Sequence, residues 1–482
     1  MRAPAAKRGR PARPQTVFVR LSDRVALGYA NGRIIAQFED GYEVSLGAFS
    51  AAATQPASAL RTGLPLAALG ARAKTAAEID RLVRQLATMG LVEYPVRRSP
   101  TKDEIVIEPQ MAGYWPQAAP LRNADVLALS RFAYLRRRGD DMVLESPRAA
   151  ALFRIRDHKI TAALARLATP QQVGHLRKGG PGIALLALLV DCGILFKIEG
   201  NASLRAAEGD RELVLWDFHD LMFHARSTPG RHANPLGGTF PYASVTPALP
   251  AVRPPWPGQK IDLRELSSAQ TNSPIAKLLR DRHSARTFDR ERPITLSELA
   301  RFLDATARVV TTWKSKIDLG DSSPEVAYAA RPYPAGGAGY ELELYLAVGQ
   351  CDGLARGFYH YDAGTHALAQ IETRAEDLDA VLAEAQFAMD ASAAPQIVIT
   401  IAARFGRITW KYSSLAYALI LKDTGVLIQT LYLMATDMGL GGCAIGSTNI
   451  DLFSKMTGIE FHIEGPVGQF ALGRPAAESS GR

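Results

Sequence analysis

The chain has 482 residues, 47% of them hydrophobic, so the sequence predicts two or more domains with sizeable cores and excludes a generally disordered protein. Its formal net charge is +8, but five basic residues fall within the first fourteen positions, so most of the excess charge belongs to the N-terminal tail. The three cysteines are widely separated and include no C-x-x-C pair, which excludes a disulfide framework and a cysteine zinc site. Since the longest aliphatic run, residues 183–190, is too short to span a bilayer, we expect a soluble, cytoplasmic protein.

The N-terminal half shows one plan twice: a pair of short strands, then helices, an amphipathic helix that ends at a glycine, and an apolar strand. The two copies align at an offset of 103 residues, which superimposes Gly90 on Gly193 as left-handed helix caps. Hairpins are predicted over residues 35–46 and 132–144, each around a polar turn. The plan is typical of winged helices in tandem. We therefore predict a basic flexible tail at residues 1–15 and winged-helix-like modules at residues 16–120 and 121–205.

A proline-rich connector is predicted at residues 206–265, because eight prolines fall between Pro229 and Pro257. His219, His224 and His232 lie in this region. Their spacing matches no zinc motif, and the first two would fall on different faces of a helix, so we predict no metal site.

The C-terminal half, residues 266–482, mixes helical and strand patterns and predicts an α+β fold. Apolar periodicity predicts helices from about Ser273, over residues 296–307, and over residues 413–423 and 424–439. Alternation or continuous apolar character predicts strands over Tyr340–Val348, 358–361, 366–371, 396–403 and 470–472.

Six short motifs follow one another through this half, at residues 282–288, 331–337, 410–412, 423–425, 439–442 and 473–474. In the first motif, Arg282, Ser284 and Arg286 occupy alternate positions of an extended segment, so they project to one side and place two forked donors around a hydroxyl. That pattern suits a phosphate group. A solvated basic turn is the alternative interpretation.

In this order the motifs resemble the nitroreductase superfamily, and specifically the SagB-type azoline dehydrogenases of thiazole/oxazole-modified peptide pathways. Residues 216–224 and 230–232 resemble the segment that precedes this domain in SagB-type proteins. The resemblance implies an FMN site formed by the following residues: Arg282, His283, Ser284, Arg286, Pro334, Ala335, Gly336, Gly337, Gly439, Leu440, Gly441, Gly442 and Arg474. The sequence departs from the family at three positions, with His283 in place of arginine, Ala335 in place of serine and Glu341 in place of proline.

Lys411 and Tyr412 are the predicted catalytic residues, because a paired Lys-Tyr motif distinguishes azoline dehydrogenases from ordinary nitroreductases. Aromatising an azoline removes a proton from one ring carbon and a hydride from its neighbour, so a base is needed opposite the flavin N5. If Ser413 or Ser414 caps the following helix, both residues lie at its positive end, which favours their basic forms. An exposed cation beside a packing residue is the alternative, and the sequence leaves open which of the two accepts the proton.

The sequence thus predicts FMN-dependent dehydrogenation of peptide thiazolines or oxazolines during maturation of a ribosomal peptide. The resemblance implies dioxygen as the electron acceptor and a homodimer whose two flavin sites contain residues from both subunits. The N-terminal modules are expected to bind the leader portion of the precursor peptide; docking to a cyclodehydratase or support of dimerisation are alternatives.

Two other functions remain open at this point. One is an NAD(P)H-dependent nitro or quinone reductase. The other is a winged-helix DNA-binding regulator with a degenerate flavin domain, since residues 7–11 resemble the core of an AT-hook. The Lys-Tyr pair argues against the first and the set of flavin motifs against the second, so nucleic acid is not the expected partner.

Overall fold

The computed structural model describes residues 14–476 except 31, 39–40, 70–73, 100, 177–179, 200–207, 210, 235–236, 254, 256, 265–272 and 321–322. The chain divides into two compact units, one of Met1–Arg226 with Gly230–Ala233 and one of Ser227–Pro229 with Asn234–Arg482. The AT-hook-like segment at residues 7–11 and the predicted turn residues 39–40 lie outside the described residues. Those residues of the connector that are described beyond residue 236 form no helix or strand.

The first unit is built mainly from short strands. In chain order these are β1 (Thr16–Leu21), β2 (Val25–Ala30), β3 (Arg33–Phe38), β4 (Glu43–Ala48), β5 (Leu64–Pro65), β6 (Val92–Ser99), β7 (Lys102–Pro109), β8 (Val126–Leu129), β9 (Tyr134–Arg138), β10 (Asp141–Glu145), β11 (Ala151–Ile155), β12 (Gln171–Gln172) and β13 (Leu195–Lys197). The helices up to residue 227 are α1 (Ala51–Ser58), α2 (Lys74–Thr88), α3 (His158–Ala165), α4 (Val173–Leu176), α5 (Ile183–Asp191) and α6 (Phe218–Ser227).

Seven of these strands form one antiparallel sheet in the order β5-β1-β6-β7-β11-β10-β9. Strand β7 belongs to the first predicted module and β11 to the second, yet the two strands pair, with Ile107 opposite Phe153. The apolar sides of α2 and α5 belong to one hydrophobic core. The two predicted modules therefore share a sheet and a core, and the winged-helix interpretation of each stays a prediction.

Several local predictions for this unit are confirmed. The hairpins appear as β3 with β4 and β9 with β10. Beyond the ends of α2 and α5, Gly90 and Gly193 have φ angles of 69° and 65°, in the left-handed region that favours glycine.

The second unit carries a six-stranded antiparallel sheet in the order β18-β17-β16-β19-β21-β20 and a separate hairpin of β14 and β15. Its strands are β14 (Thr311–Lys316), β15 (Glu325–Ala330), β16 (Leu342–Val348), β17 (Gly357–Asp362), β18 (Ala367–Ile371), β19 (Ile397–Arg404), β20 (Gly441–Ile445) and β21 (Glu464–Gly473). Its helices are α7 (Pro274–Asp281), α8 (Leu296–Ala307), α9 (Ala375–Ala388), α10 (Gly406–Thr409), α11 (Ala416–Asp437) and α12 (Ile450–Thr457). The predicted α+β fold of the C-terminal half is confirmed, and the apolar run at residues 396–403 is the buried central strand β19.

One strand boundary in this unit was predicted wrongly. The strand expected from Tyr340 begins at Leu342, because Tyr340 has a left-handed φ of 44° that is incompatible with a strand. The helical segments at residues 413–423 and 424–439 form the single helix α11 (Ala416–Asp437); the sequence left open whether Gly425 interrupts it, and Gly425 is an interior residue. By length and composition alone α11 would be able to cross a membrane, and 39% of its most apolar window is buried within the chain.

Candidate functional site

The first motif, residues 282–288, is here called the phosphate loop, and it lies against the glycine segment at residues 439–442. The amide of Ala285 donates to the carbonyl of Gly442 at 2.9 Å. A Cβ at Gly441 would lie only 2.7 Å from the Cβ of Ala285, so this close approach requires glycine. The structure thus brings together two segments that are about 155 positions apart in the sequence, roughly as the resemblance implied.

Tyr432 of α11 fixes this contact through its hydroxyl. The hydroxyl lies 2.8 Å from Ser284 Oγ and accepts a hydrogen bond from the amide of Ala444 at 2.8 Å. The guanidinium of Arg282 lies 5.1 Å from the centre of the Tyr432 ring. Sequence reasoning missed this role, since Tyr432 was predicted only as part of an apolar helix stripe.

The charges around this loop suit an anion. Within the described part of the chain, neither Arg282 nor Arg286 has a carboxylate at ion-pair distance, whereas Arg474 donates to both oxygens of Glu298 at 2.8 Å. His283 bonds only locally, with Nδ1 3.0 Å from the carbonyl of Asp281. We infer that the two unpaired arginines are the available phosphate ligands and that Arg474 mainly joins β21 to α8.

The second group of predicted residues centres on the turn that Pro334–Gly337 open, here called the glycine turn and defined as residues 334–339. Gly337 has a φ of 57°. A Cβ there would lie 2.1 Å from the hydroxyl of Tyr412 and 2.6 Å from Lys411 Nζ. Lys411 Nζ donates to the carbonyl of Gly337 at 3.1 Å. The predicted catalytic pair therefore packs directly on the predicted flavin turn.

The helix-cap argument for this pair is wrong. Helix α11 begins at Ala416 with Leu415 at its N-cap and without a side-chain cap, so neither Ser413 nor Ser414 serves as the cap. The pair instead follows the short helix α10, whose residue Ile408 accepts from the amides of both Lys411 and Tyr412. Its position is fixed by the end of α10 and by the glycine turn.

Asp423 is a further site residue that was quoted in a motif but given no role. Its Oδ2 accepts from the amide of Gly336 at 2.8 Å, which gives the glycine turn a second contact besides that of Lys411. Burial raises the pKa of the Asp423 carboxyl. Helix α11 thus contributes Asp423 to one group and Tyr432 to the other, nine positions or about 14 Å further along its axis.

The phosphate loop fits the phosphate of a flavin mononucleotide, because Arg282, Ser284 and Arg286 offer two unpaired cations and a hydroxyl. At the glycine turn, the space that a Cβ on Gly337 would fill already holds the polar ends of Lys411 and Tyr412.

In the first unit, ligand atoms of Asp217, His219 and Asp220 lie within 4.8 Å of one another, a spacing that acidic groups commonly show without an ion.

Two family models match the chain. Residues 127–233 match the cyanobactin oxidase ThcOx model, and residues 279–474 match the nitroreductase family model. Residues 279–474 form a nitroreductase-family domain. The pair of matches also confirms the SagB-type resemblance within this superfamily, because the residues that match the cyanobactin oxidase ThcOx model lie upstream of the nitroreductase domain.

Individual relatives show the same likeness over part of the chain. A putative nitroreductase of Methanocaldococcus jannaschii is 33% identical over 114 residues, which cover 24% of this chain and 57% of that protein. The chain therefore spans little more than half the length of this curated relative.

Solved structures with a similar fold include an Escherichia coli microcin synthetase McbBCD complex with truncated pro-MccB17 bound (18% identity, 53% of this chain and 87% of that chain, TM-score 0.37). A putative nitroreductase from Desulfovibrio desulfuricans in complex with FMN is 14% identical over 44% of this chain and 93% of that chain, with a TM-score of 0.27.

Proposed function

We propose that this protein is an FMN-dependent dehydrogenase that oxidises thiazolines or oxazolines in a ribosomally made peptide to thiazoles or oxazoles. The observation that carries the proposal is the packing of Lys411 and Tyr412 on the glycine turn, where both polar side-chain ends meet the backbone that the resemblance assigns to the flavin. A nitroreductase-family domain supports an oxidoreductase.

In this proposal the two arginines of the phosphate loop and Ser284 bind the flavin phosphate, and the glycine turn borders its ring. Bound FMN would supply the hydride acceptor. An azoline ring held over the turn would present its acidic carbon to Lys411 Nζ or to the Tyr412 hydroxyl oxygen. Lys411 can accept that proton only as the free amine, and Tyr412 only as the phenolate. Placing base and acceptor around one ring replaces an encounter in solution by a fixed geometry.

The partners proposed for this reaction are an azoline-containing precursor peptide, a cyclodehydratase that makes the azolines, and dioxygen as the final electron acceptor. The match of residues 127–233 to a cyanobactin oxidase model supports a peptide substrate. A homodimer whose two flavin sites contain residues from both subunits is also proposed, as the resemblance implies. We assign leader-peptide binding to the first unit as part of the same proposal.

The test compares Lys411→Ala and Tyr412→Phe with the wild type on an azoline peptide. Each variant is first checked for flavin by its absorbance spectrum and for folding by circular dichroism. Loss of a positioned general base lowers rates by about 100- to 10,000-fold, so we expect at least one variant to lose about 100-fold in kcat while retaining FMN. Ser413→Ala, the exposed neighbour, is the matched control and should keep the wild-type rate.

A nitro or quinone reductase is the second candidate, favoured by the nitroreductase-family match itself. The two functions differ in their electron donor. Oxidation of NADPH with a nitroarene, together with inactivity on azoline peptides, would establish the reductase and reject the dehydrogenase.

A further inference from the structure

A buried carboxyl lies directly after the glycine turn. Glu341 is 0% exposed, and it stands where the resemblance leads one to expect proline. Its backbone carbonyl accepts from the amide of Arg404 at 2.9 Å, which anchors it to the end of β19. A glutamate in such a place needs a partner for its side chain, because burying an unpaired carboxylate is costly.

The carboxyls of Glu341 and Asp423 both lie against the glycine turn, and they interact with each other. Glu341 Oε2 lies 3.4 Å from the position that a Cβ on Gly339 would occupy, and Asp423 Oδ2 lies 3.4 Å from the corresponding position on Gly336. Both Glu341 oxygens are buried and, among the described residues, neither meets the geometry of a hydrogen bond. Asp423, by contrast, already accepts from the Gly336 amide. Of the two carboxyls, Asp423 is therefore the better placed to carry the negative charge.

The other polar groups that face Glu341 are Arg331, Tyr333 and Arg407. Both arginines donate to backbone carbonyls: Arg331 to Leu342 at 2.9 Å, and Arg407 to Gly339 at 2.9 and 3.2 Å. The Tyr333 hydroxyl is buried without a hydrogen-bond partner among the described residues. None of these groups forms an ion pair with Glu341.

The electrostatics agree with a shared proton. The pKa of Glu341 is raised to about 7, mainly by burial. The negative charge of Asp423 contributes to this rise, and its effect is larger than the opposite effect of the Arg331 charge. Two neighbouring buried carboxyls do not ionise together readily, as in other acid–carboxylate pairs.

We propose that Glu341 is a positioning residue: as a neutral acid it donates a hydrogen bond to Asp423 and so holds the Gly336–Gly339 backbone in its flavin-binding conformation. Loss of that proton places two like charges under the turn, loosens the bond between Asp423 and Gly336, and weakens flavin binding. The inference rests on the proposed flavin site and gives that site a dependence on pH.

The direction of the pH effect follows from the pKa difference between folded and unfolded chains. The folded pKa of about 7 lies above the ordinary value of 4.5, so the unfolded chain loses the proton first as pH rises. The stability contributed by this group is complete below about pH 4.5 and is lost as pH rises to about 7. Flavin affinity, which compares two folded states, falls as pH rises through and beyond about 7.

The decisive variant is Glu341→Gln, which keeps the shape and the donor and cannot ionise. FMN is titrated into flavin-free full-length protein, with quenching of flavin fluorescence as the signal, from pH 6 to pH 8.5. Relative to this variant, wild-type affinity should fall about tenfold between pH 6 and pH 8, the fall expected when only the protonated form binds. Changes in the ionisation of the FMN phosphate affect both proteins equally and cancel in this ratio. Glu464→Gln, which removes another carboxyl of raised pKa outside the turn, should follow the wild type.

A second readout separates this inference from the proposed function. Thermal midpoints of the flavin-free proteins are compared between pH 5 and pH 7, where the wild type should lose stability relative to Glu341→Gln. If the wild type binds no FMN at any pH, the proposed function fails, and the thermal comparison still decides the role of the Glu341 proton. Parallel pH profiles of wild type and Glu341→Gln, in affinity and in thermal midpoint, overturn the inference.

Discussion

At the scale of single residues, Tyr432 shows how one hydroxyl can hold two segments of a binding site. Its ring is buried on α11, and its oxygen joins the Ser284 hydroxyl to the Ala444 amide near the end of β20. The phosphate loop therefore depends on a helix that contributes no predicted phosphate ligand.

Replacing Tyr432 by phenylalanine tests this dependence. The ring that faces Arg282 remains, whereas the Ala444 amide loses its partner, so the free energy of unfolding should fall by about 1–3 kcal/mol. FMN affinity should fall with it, because Ser284 is no longer fixed. Urea denaturation and FMN titration measure the two effects.

Tyr359→Phe is the matched control for this prediction. It removes a buried hydroxyl that bonds to the Ala355 carbonyl, away from the site. This variant should lose stability and keep wild-type flavin affinity. Equal flavin affinities for wild type and Tyr432→Phe would contradict the role of the hydroxyl.

At the scale of elements, two glycines differ in whether the fold requires them: a side chain would clash at Gly337 and would not at Gly425. Gly337 has a left-handed φ and lies where a Cβ would meet the proposed catalytic pair, so Gly337→Ala should displace Lys411 and Tyr412 and lower the proposed azoline oxidation by at least about tenfold. Gly425 lies inside α11, and a Cβ there would meet nothing within 4 Å.

Gly425→Ala is therefore the control, and it should stabilise the protein by about 0.5–1 kcal/mol through helix propensity. Activity assays and urea denaturation of both variants check the pair. An active Gly337→Ala protein would refute the close packing at the turn, and a destabilised Gly425→Ala protein would show that this face of α11 is covered in solution.

Local patterns predicted the elements well, and distant contacts account for what they missed. Alternation located β16, an apolar run located β19, and glycine caps ended α2 and α5. The pairing of β7 with β11, however, depends on contacts far apart in sequence that no local pattern records. Whether Gly425 interrupts α11 could not be decided from the sequence, because packing along a helix can outweigh the weak helix propensity of one glycine.

The site was predictable in part. The structure places the predicted phosphate loop against residues 439–442, and Lys411 and Tyr412 on the glycine turn, whereas flavin binding by these groups stays a prediction. The motif at residues 423–425 was quoted without a role for Asp423, and Tyr432 was missed because the helical pattern around it is typical of packing. Arg474 was predicted at the flavin phosphate, and no local pattern indicates its pairing with Glu298, 176 positions away.

At the scale of the whole molecule, the proposed homodimer has a candidate surface on α7. Ile275 and Leu279 of this helix are 65% and 50% exposed, although a soluble chain gains from burying such side chains. We expect light scattering to give a mass twice the chain mass of 52.1 kDa. Leu279→Asp should shift the protein toward monomer and reduce its bound flavin.

Phe387→Asp provides the comparison, since Phe387 is 88% exposed on α9. It should leave both mass and flavin content unchanged. A wild-type monomer with a full complement of FMN would contradict the shared site, and loss of flavin in a Leu279→Asp protein that remains dimeric would assign Leu279 a different function.

The strand order of the first unit determines how long each strand must remain unpaired while the chain is being synthesised. Arg20 of β1 bonds to Glu93 of β6, which is 73 positions later in the chain. At a translation rate of about 5–20 residues per second, roughly 4–15 s pass between the synthesis of β1 and that of its pairing partner β6. The sheet gains β11 only after another 60 or so residues, so a nascent chain presents incomplete strand edges for most of the time this unit is being made. Cells that make this protein must therefore protect the early strands from other chains until residue 155 has emerged.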